Sequence, residues 1–332
     1  MNNTTEFMPP SVISKAEILL TLVVYILTFV LGVVGNILVF LVIFTKRERR
    51  TSNDIFLVNL AAADLLTVSV SIPIKLLQLI APFIHVNCFV CKILYPMMTV
   101  PYCASIFTIT SMSIQRRSAI LNPWKGIITQ RTTSIWCGII WVIAALLILP
   151  VSIISTVKNG MCFLNWSKKE EAIYIISIFF IQYILPLIVI LLAYVQICLN
   201  LKKYQKNIVR QEIKKENIEI TRTIAVIVII FAVVTLPLQV FWMLYVFHLE
   251  SIGIMNLVKL HHYAELLTDV HSCMNPLVYG ALTRRFRHKY TLLLSSVFKI
   301  FDRPQRESRS YNETSRSRRD ETMRLKQRSG TV

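Results

Sequence analysis

Seven long apolar runs divide the chain, each meeting the roughly 20 residues that a helix needs to cross a hydrocarbon core about 30 Å thick. They run from Ile18 to Phe44, Ile55 to Ile80, Phe89 to Ile114, Ser134 to Thr156, Ala172 to Leu199, Thr223 to His248 and Leu257 to Leu282. Apolar side chains cover nearly the whole circumference of each run, the pattern of helices that face lipid or lie inside a bundle. A transmembrane barrel would instead show short segments of strict alternation. The chain is therefore expected to be an all-α membrane protein, with a polar segment over 1–17 and a seven-transmembrane helix bundle over 18–282. After the last run, Thr283-Arg284-Arg285-Phe286-Arg287-His288-Lys289-Tyr290 mixes basic and aromatic residues at helical spacing. This predicts a short amphipathic eighth helix over 283–300 on the membrane surface, held by Leu292, Leu293, Leu294, Val297 and Phe298 and by anionic lipid. From 301 to 332 the tail is rich in Arg, Ser, Glu and Thr and is expected to be disordered.

Composition narrows the class. Only 16% of the 332 residues are charged and 55% are hydrophobic, against about a quarter charged in soluble domains, which argues against a soluble enzyme. The formal charge of +18 could suggest nucleic acid as a partner, so the placement of the basic residues matters. Of the 36, 29 lie on one side of the predicted membrane, in the first, third and fifth connections and the tail. With ten acids beside them that side carries +19, and the rest of the chain sums to −1. Such a bias marks the cytoplasmic face, so the protein is expected to be a multi-pass plasma-membrane protein with an extracellular N terminus, a cytoplasmic C terminus and no nucleic-acid partner. No signal-peptide core precedes the first run, which is expected to act as its own uncleaved signal. Sequons at Asn3 and Asn165 fall on the outer side and are candidate glycosylation sites.

Polar residues inside apolar spans carry the functional information, because each is costly there. Gly35-Asn36 lies in the first span, Asn59-Leu60-Ala61-Ala62-Ala63-Asp64 in the second, Trp141 in the fourth, and Pro186 and Tyr194 in the fifth. Phe231 and Pro237 follow in the sixth, and Asn275-Pro276-Leu277-Val278-Tyr279 in the seventh. This ordered set resembles the rhodopsin-like (class A) G-protein-coupled receptors, and its peptide receptors in particular, from Asn36 to about Phe286.

The resemblance implies roles for several residues. Cys91, 25 residues before Arg116, takes the place of a family cysteine at the outer mouth of the third helix, and Cys162 is its implied disulfide partner. Cys88 is the alternative partner. Cys103, Cys137, Cys198 and Cys273 lie in spans and are expected to be packing residues. Asp64 with Ser105, Asn36, Ser272 and Asn275 matches the family's sodium pocket, so a sodium ion is a possible allosteric modulator, the other reading being a hydrogen-bond hub. Arg116, Tyr194 and Tyr279 match the residues that rearrange to admit a heterotrimeric G protein when the sixth helix swings outward about Pro237. Arrestin and a receptor kinase are implied partners of the Ser/Thr-rich tail.

Two departures from the family pattern stand out. The Asp-Arg-Tyr triplet reads Gln115-Arg116-Arg117, so the residue beside the arginine brings no negative charge. The Cys-Trp-x-Pro segment reads Val234-Thr235-Leu236-Pro237, so the indole is missing and transmission is expected to run through Phe231, Tyr102 and Gln239. A weaker resting state and ligand-free signalling are the expected consequences.

An outer pocket should collect polar and ionisable groups. The candidates are Lys75, Gln78, Met98, Tyr102, Gln182, Gln239, Trp242, His262, Glu265 and Asp269, with His262, Glu265 and Asp269 three and four residues apart on one helix face. Amine receptors of the family carry an aspartate where this chain has Met98, and opsins a lysine where it has Asp269, so neither ligand class is expected. Charges of both signs suit an extracellular peptide; a small-molecule or lipid ligand is the alternative. A secondary transporter would show repeats relating its halves and an enzyme a catalytic constellation, and the sequence contains neither.

Overall fold

A computed structural model describes residues 14–45, 49–81, 86–121, 129–203, 211–248, 253–293 and 295. Expectations for Asn3, for Leu294, Val297 and Phe298, for parts of the basic connections and for the tail over 301–332 lie outside these residues. Up to Thr283 the chain forms one unit built on seven long helices: α1 (Lys15–Phe44), α2 (Ser52–Ile80), α3 (Val90–Leu121), α4 (Gln130–Ile154), α5 (Lys168–Asn200), α6 (Gln211–His248) and α7 (Ile254–Leu282). A separate unit beginning at Arg284 contains a helix over 284–293, where Phe286 and Tyr290 meet edge to face.

Several helices begin where side chains cap them rather than where the apolar run begins. Ser14 with Glu17, Thr51 with Asp54 and Ser167 with Glu170 form reciprocal capping boxes, which satisfy backbone N–H groups that the first turn leaves free. This is why α1, α2 and α5 start three or four residues before the predicted spans. Among the described residues six helices, α1 to α6, are both long and apolar enough to cross a membrane. The seventh run was expected to match them. At 29 residues α7 is long enough, roughly 44 Å at 1.5 Å per residue, but Lys259, Glu265 and Asp269 lower its apolarity. Asp269 is buried, so this polarity is turned inward.

Neighbouring helices close a ring in which α7 packs on both α6 and α1, while α3 touches α2, α4, α5 and α6. Close approach needs small residues at two crossings: a methyl group on Gly32 would stand 2.7 Å from Val68, and one on Gly35 would stand 2.8 Å from Pro276. Buried Asn59 ties three helices, donating to Thr108 Oγ1 of α3 and accepting from Trp141 Nε1 of α4 at 2.9 Å. The outward faces of the helices are apolar, with Leu20, Val142, Leu146, Leu191 and Val233 more than half exposed, as lipid contact requires.

Among the described residues three π-helical turns interrupt the α geometry, at Thr67–Ser71, Val90–Leu94 and Phe180–Ile184. A proline follows two residues after each, at Pro73, Pro96 and Pro186. Proline lacks an N–H and its ring collides with the carbonyl four residues back, so a widened preceding turn relieves the clash. The predicted fourth span also ends early, because Ser155 and Thr156 leave the helix for a β-hairpin, β1 (Ser155–Lys158) with β2 (Met161–Leu164). Asn159 and Gly160 supply the two positive-φ residues of its turn.

Candidate functional site

The hairpin marks one end of the bundle. Its Cys162 is bonded to Cys91 in the first turn of α3, whereas Cys88 is free and exposed. Cys103, Cys137 and Cys273 are buried, as packing residues would be, but Cys198 is exposed. Asn165, the described sequon, is exposed just after β2, and Ser167 of the same sequon caps α5.

Beneath the hairpin end, α2 and α7 face each other with charges of both signs. The Lys75 ammonium donates to Asp269 Oδ2 at 2.7 Å and stands 3.6 Å from Glu265 Oε1. The π turn at Thr67–Ser71 lies one turn before Lys75, so the wider geometry sets the direction in which that side chain leaves α2. The Asp269 side chain is 6% exposed and that of Glu265 35% exposed. Buried Tyr25 of α1 adjoins Asp269, a neighbour that a single tyrosine in an apolar run did not signal.

The shared face expected for His262, Glu265 and Asp269 is kept in the fold: His262 pairs with Thr21 of α1 at 2.9 Å, Asp269 adjoins Tyr25 one turn along the same helix, and Glu265 interacts with both His262 and Asp269. His261 also stands 3.7 Å from Glu265. The sequence carried that signal, since 261 and 265 are four apart, as helix neighbours are. His261 also adjoins Phe241 at 4.4 Å and Trp242 at 5.8 Å between ring centroids, and Tyr245 completes this aromatic group. Between the ends of α1 and α7, Glu17 accepts from Lys259 at 3.0 Å and from Tyr263 at 2.9 Å.

The other pocket candidates lie in smaller groups. Gln78 donates to Tyr95, the half-buried Met98 lies one turn further along α3, and buried Gln182 donates to Cys103 Sγ at 2.8 Å. Gln239 donates to Tyr102 at 3.5 Å. Below them Phe231, almost wholly buried, is ringed by Tyr102, Tyr183 and His271 at centroid distances of 6.3, 6.4 and 5.5 Å. Aromatic side chains from α3, α5 and α7 thus converge on α6 where Thr235 replaces the missing indole. His271 is a lone histidine in its span and carries no spacing signal in the sequence.

Deeper still, Asn275 Nδ2 donates to Asp64 Oδ2 at 2.7 Å, and Ser105 adjoins Asp64. Asn36 Nδ2 donates to the carbonyls of Gly32 and Ser272. Asn36 Oδ1 and Asn275 Oδ1 are buried without a hydrogen-bond partner among the described residues, which leaves acceptor capacity on both, Asn275 lying beside the carboxylate. At the opposite end from the hairpin, Arg116 donates to Gln115 Oε1 at 3.3 Å, Tyr194 donates to the Thr221 carbonyl at 3.1 Å, and Arg117 is hydrogen-bonded to Gln196 of α5. Pro237 sits inside α6, and Tyr279 is buried near the end of α7.

Comparison with known proteins agrees with this geometry. The family described as 7 transmembrane receptor (rhodopsin family) matches residues 35–279. The chain is similar to the somatostatin receptor type 2 of Mus musculus, 27% identical over 82% of this chain and 76% of that receptor. It is similar to the neuropeptide Y receptor type 6 of Mus musculus, 28% identical over 83% and 81%. A third relative, galanin receptor type 1 of Homo sapiens, is 28% identical over 82% and 81%.

Proposed function

Since the chain belongs to the seven-transmembrane receptors of the rhodopsin family, we propose that it binds an extracellular peptide, a neuropeptide in particular, and activates a heterotrimeric G protein. The observation that carries this reading is the desolvated group of Lys75, Glu265 and Asp269 beneath the disulfide-bonded hairpin, which offers charge and hydrogen bonds to a polar chain. Names of three relatives, which refer to somatostatin, neuropeptide Y and galanin, support it. In this reading the hairpin end is extracellular and the Arg116 end cytoplasmic, in accord with the basic connections.

Gln78, Met98, Tyr102, Gln182, Gln239, Trp242 and His262 line or support the ligand site in the same reading. Occupancy is felt by Tyr102 and Gln239 and passed to Phe231, one and a half turns before Pro237, where α6 can bend. The inner half then moves outward, and Arg116, Tyr194 and Tyr279 line the cavity that receives the G protein. An agonist shifts this equilibrium by its difference in affinity for the two arrangements.

Asp64, with Asn36, Ser105, Ser272 and Asn275, fits a sodium ion: a carboxylate beside buried oxygens that lack donors is what a small cation requires. Bound there, the ion would supply one positive charge to an acid enclosed among helices. A receptor kinase and an arrestin are the expected partners of the tail, and anionic lipid of the amphipathic helix.

The test is nucleotide exchange on a purified G protein by the receptor in lipid nanodiscs, screened against free and amidated neuropeptides. Peptide-dependent exchange is expected. Activation only by small neutral molecules or lipids would overturn the peptide assignment.

A further inference from the structure

The charges of the group around Lys75 do not balance, and the imbalance identifies the group that the ligand must bring. Lys75 faces two carboxylates. It hydrogen-bonds Asp269 at 2.7 Å, while Glu265 at 3.6 Å lies beyond that range. The other basic groups beside Glu265 among the described residues are His261, at 3.7 Å, and His262, rings that count as cations only when protonated. The Lys259–Glu17 pair is neutral in itself. Lys158, Lys168 and Lys169 are exposed on the hairpin and the start of α5, where solvent and salt screen them. Within the group of Lys75, Asp269 and Glu265 one negative charge is therefore left over, and it resides on the more accessible acid, 35% exposed against 6% for Asp269.

The wall beside Glu265 suits the same chemistry. Phe241 and Trp242 of α6 pack against His261, and Tyr245 packs against both of them. An ammonium or guanidinium group attracted to Glu265 would meet aromatic rings, whose faces favour cations.

Building on the receptor reading, we propose that the site selects peptides by a single cationic group, an N-terminal ammonium or a Lys or Arg side chain, with Glu265 as counter-ion and Trp242 as its aromatic wall. Lys75 and Asp269 stay paired and form the neutral floor. A peptide whose only charge is an acid would face an excess of negative charge and is disfavoured.

The experiment uses the full-length receptor in nanodiscs and three probes followed by saturation-transfer NMR: argininamide, its neutral counterpart N-acetylcitrulline amide, and N-acetylaspartate. Argininamide is expected to bind, the other two not to compete with it. Glu265→Gln should weaken argininamide at least tenfold and Trp242→Leu severalfold, while Glu265→Asp keeps part of the affinity. A thermal midpoint for each variant shows that it is folded. If Glu265→Gln does not fold, the Glu265→Asp and Trp242→Leu affinities decide. Absence of argininamide binding, equal binding of the neutral probe, preference for N-acetylaspartate, or wild-type affinity in folded Glu265→Gln would each overturn the proposal. A failed peptide screen with Glu265-dependent argininamide binding would count against the peptide reading alone. An activating peptide without any cation, indifferent to Glu265→Gln, would support the receptor and overturn the cation selection.

Discussion

Asp269 and Asp64 are both buried carboxylates in helices of the bundle, and each accepts a hydrogen bond of 2.7 Å, yet they are held differently. Asp269 meets a charge, the ammonium of Lys75. Asp64 meets a dipole, the amide of Asn275. An ion pair neutralises itself and is locked, because removing either half strands the other in a medium that solvates it poorly. An acid held by an amide has no cation beside it, and in the proposed sodium reading a mobile cation takes that place. In the proposed reading the two carboxylates serve opposite tasks, one to fix helices α2 and α7 and the other to respond to the medium.

The most forceful way to break this contrast is to give Asp269 an amide. Asp269→Asn should destabilise the receptor by about 1.5–3 kcal/mol, because Lys75 loses its hydrogen-bonded acid and keeps only Glu265, at 3.6 Å. Pairing it with Lys75→Met should recover most of that loss, measured as the thermal midpoint in detergent. Equal midpoints for wild type and Asp269→Asn would mean that the pair does not fix the bundle. The next test asks whether Asp64 responds to the medium. Replacing choline by sodium at constant ionic strength should stabilise the wild type by about 1.4 kcal/mol at ten times the sodium dissociation constant, and Asp64→Asn should abolish the gain. No gain in the wild type would remove the sodium reading. The mildest effect is expected at the far end, where Arg116 donates to the side-chain oxygen of Gln115. Gln115→Glu turns that contact into an ion pair worth about 1 kcal/mol, and ligand-free nucleotide exchange should fall roughly fivefold. Unchanged basal exchange would show that Gln115 does not set the resting balance.

The contrast between paired and unpaired charges also marks how far the sequence could be read. The seven spans were legible because apolar length is a one-dimensional property. Asp64 with Asn275 was legible through its motifs. Which of Asp269 and Glu265 takes Lys75, and that His262 reaches Thr21 of α1 while His261 also stands near Glu265, depends on helix rotations that a linear pattern leaves free within a residue or two. The hairpin was missed although Asn159-Gly160 is a strong turn signal, because its apolar flank ran on from the fourth span. The capped starts of α1, α2 and α5 could have been found from Ser14-x-x-Glu17, Thr51-x-x-Asp54 and Ser167-x-x-Glu170.

The three π turns have a consequence for descent as well as for shape. A turn closed over five residues instead of four holds one residue more than the surrounding helix needs. Everything beyond it is rotated relative to what precedes it, so Lys75 and Asp64 on α2 obey different counting rules. In a relative that lacks such a turn, a one-residue gap in the alignment belongs inside Thr67–Ser71, and placing it elsewhere would match Lys75 with the wrong ancestor. Insertion or loss of a single residue there offers lineages a way to redirect every side chain at the mouth of α2 in one step, while the part of the helix around Asp64 keeps its register.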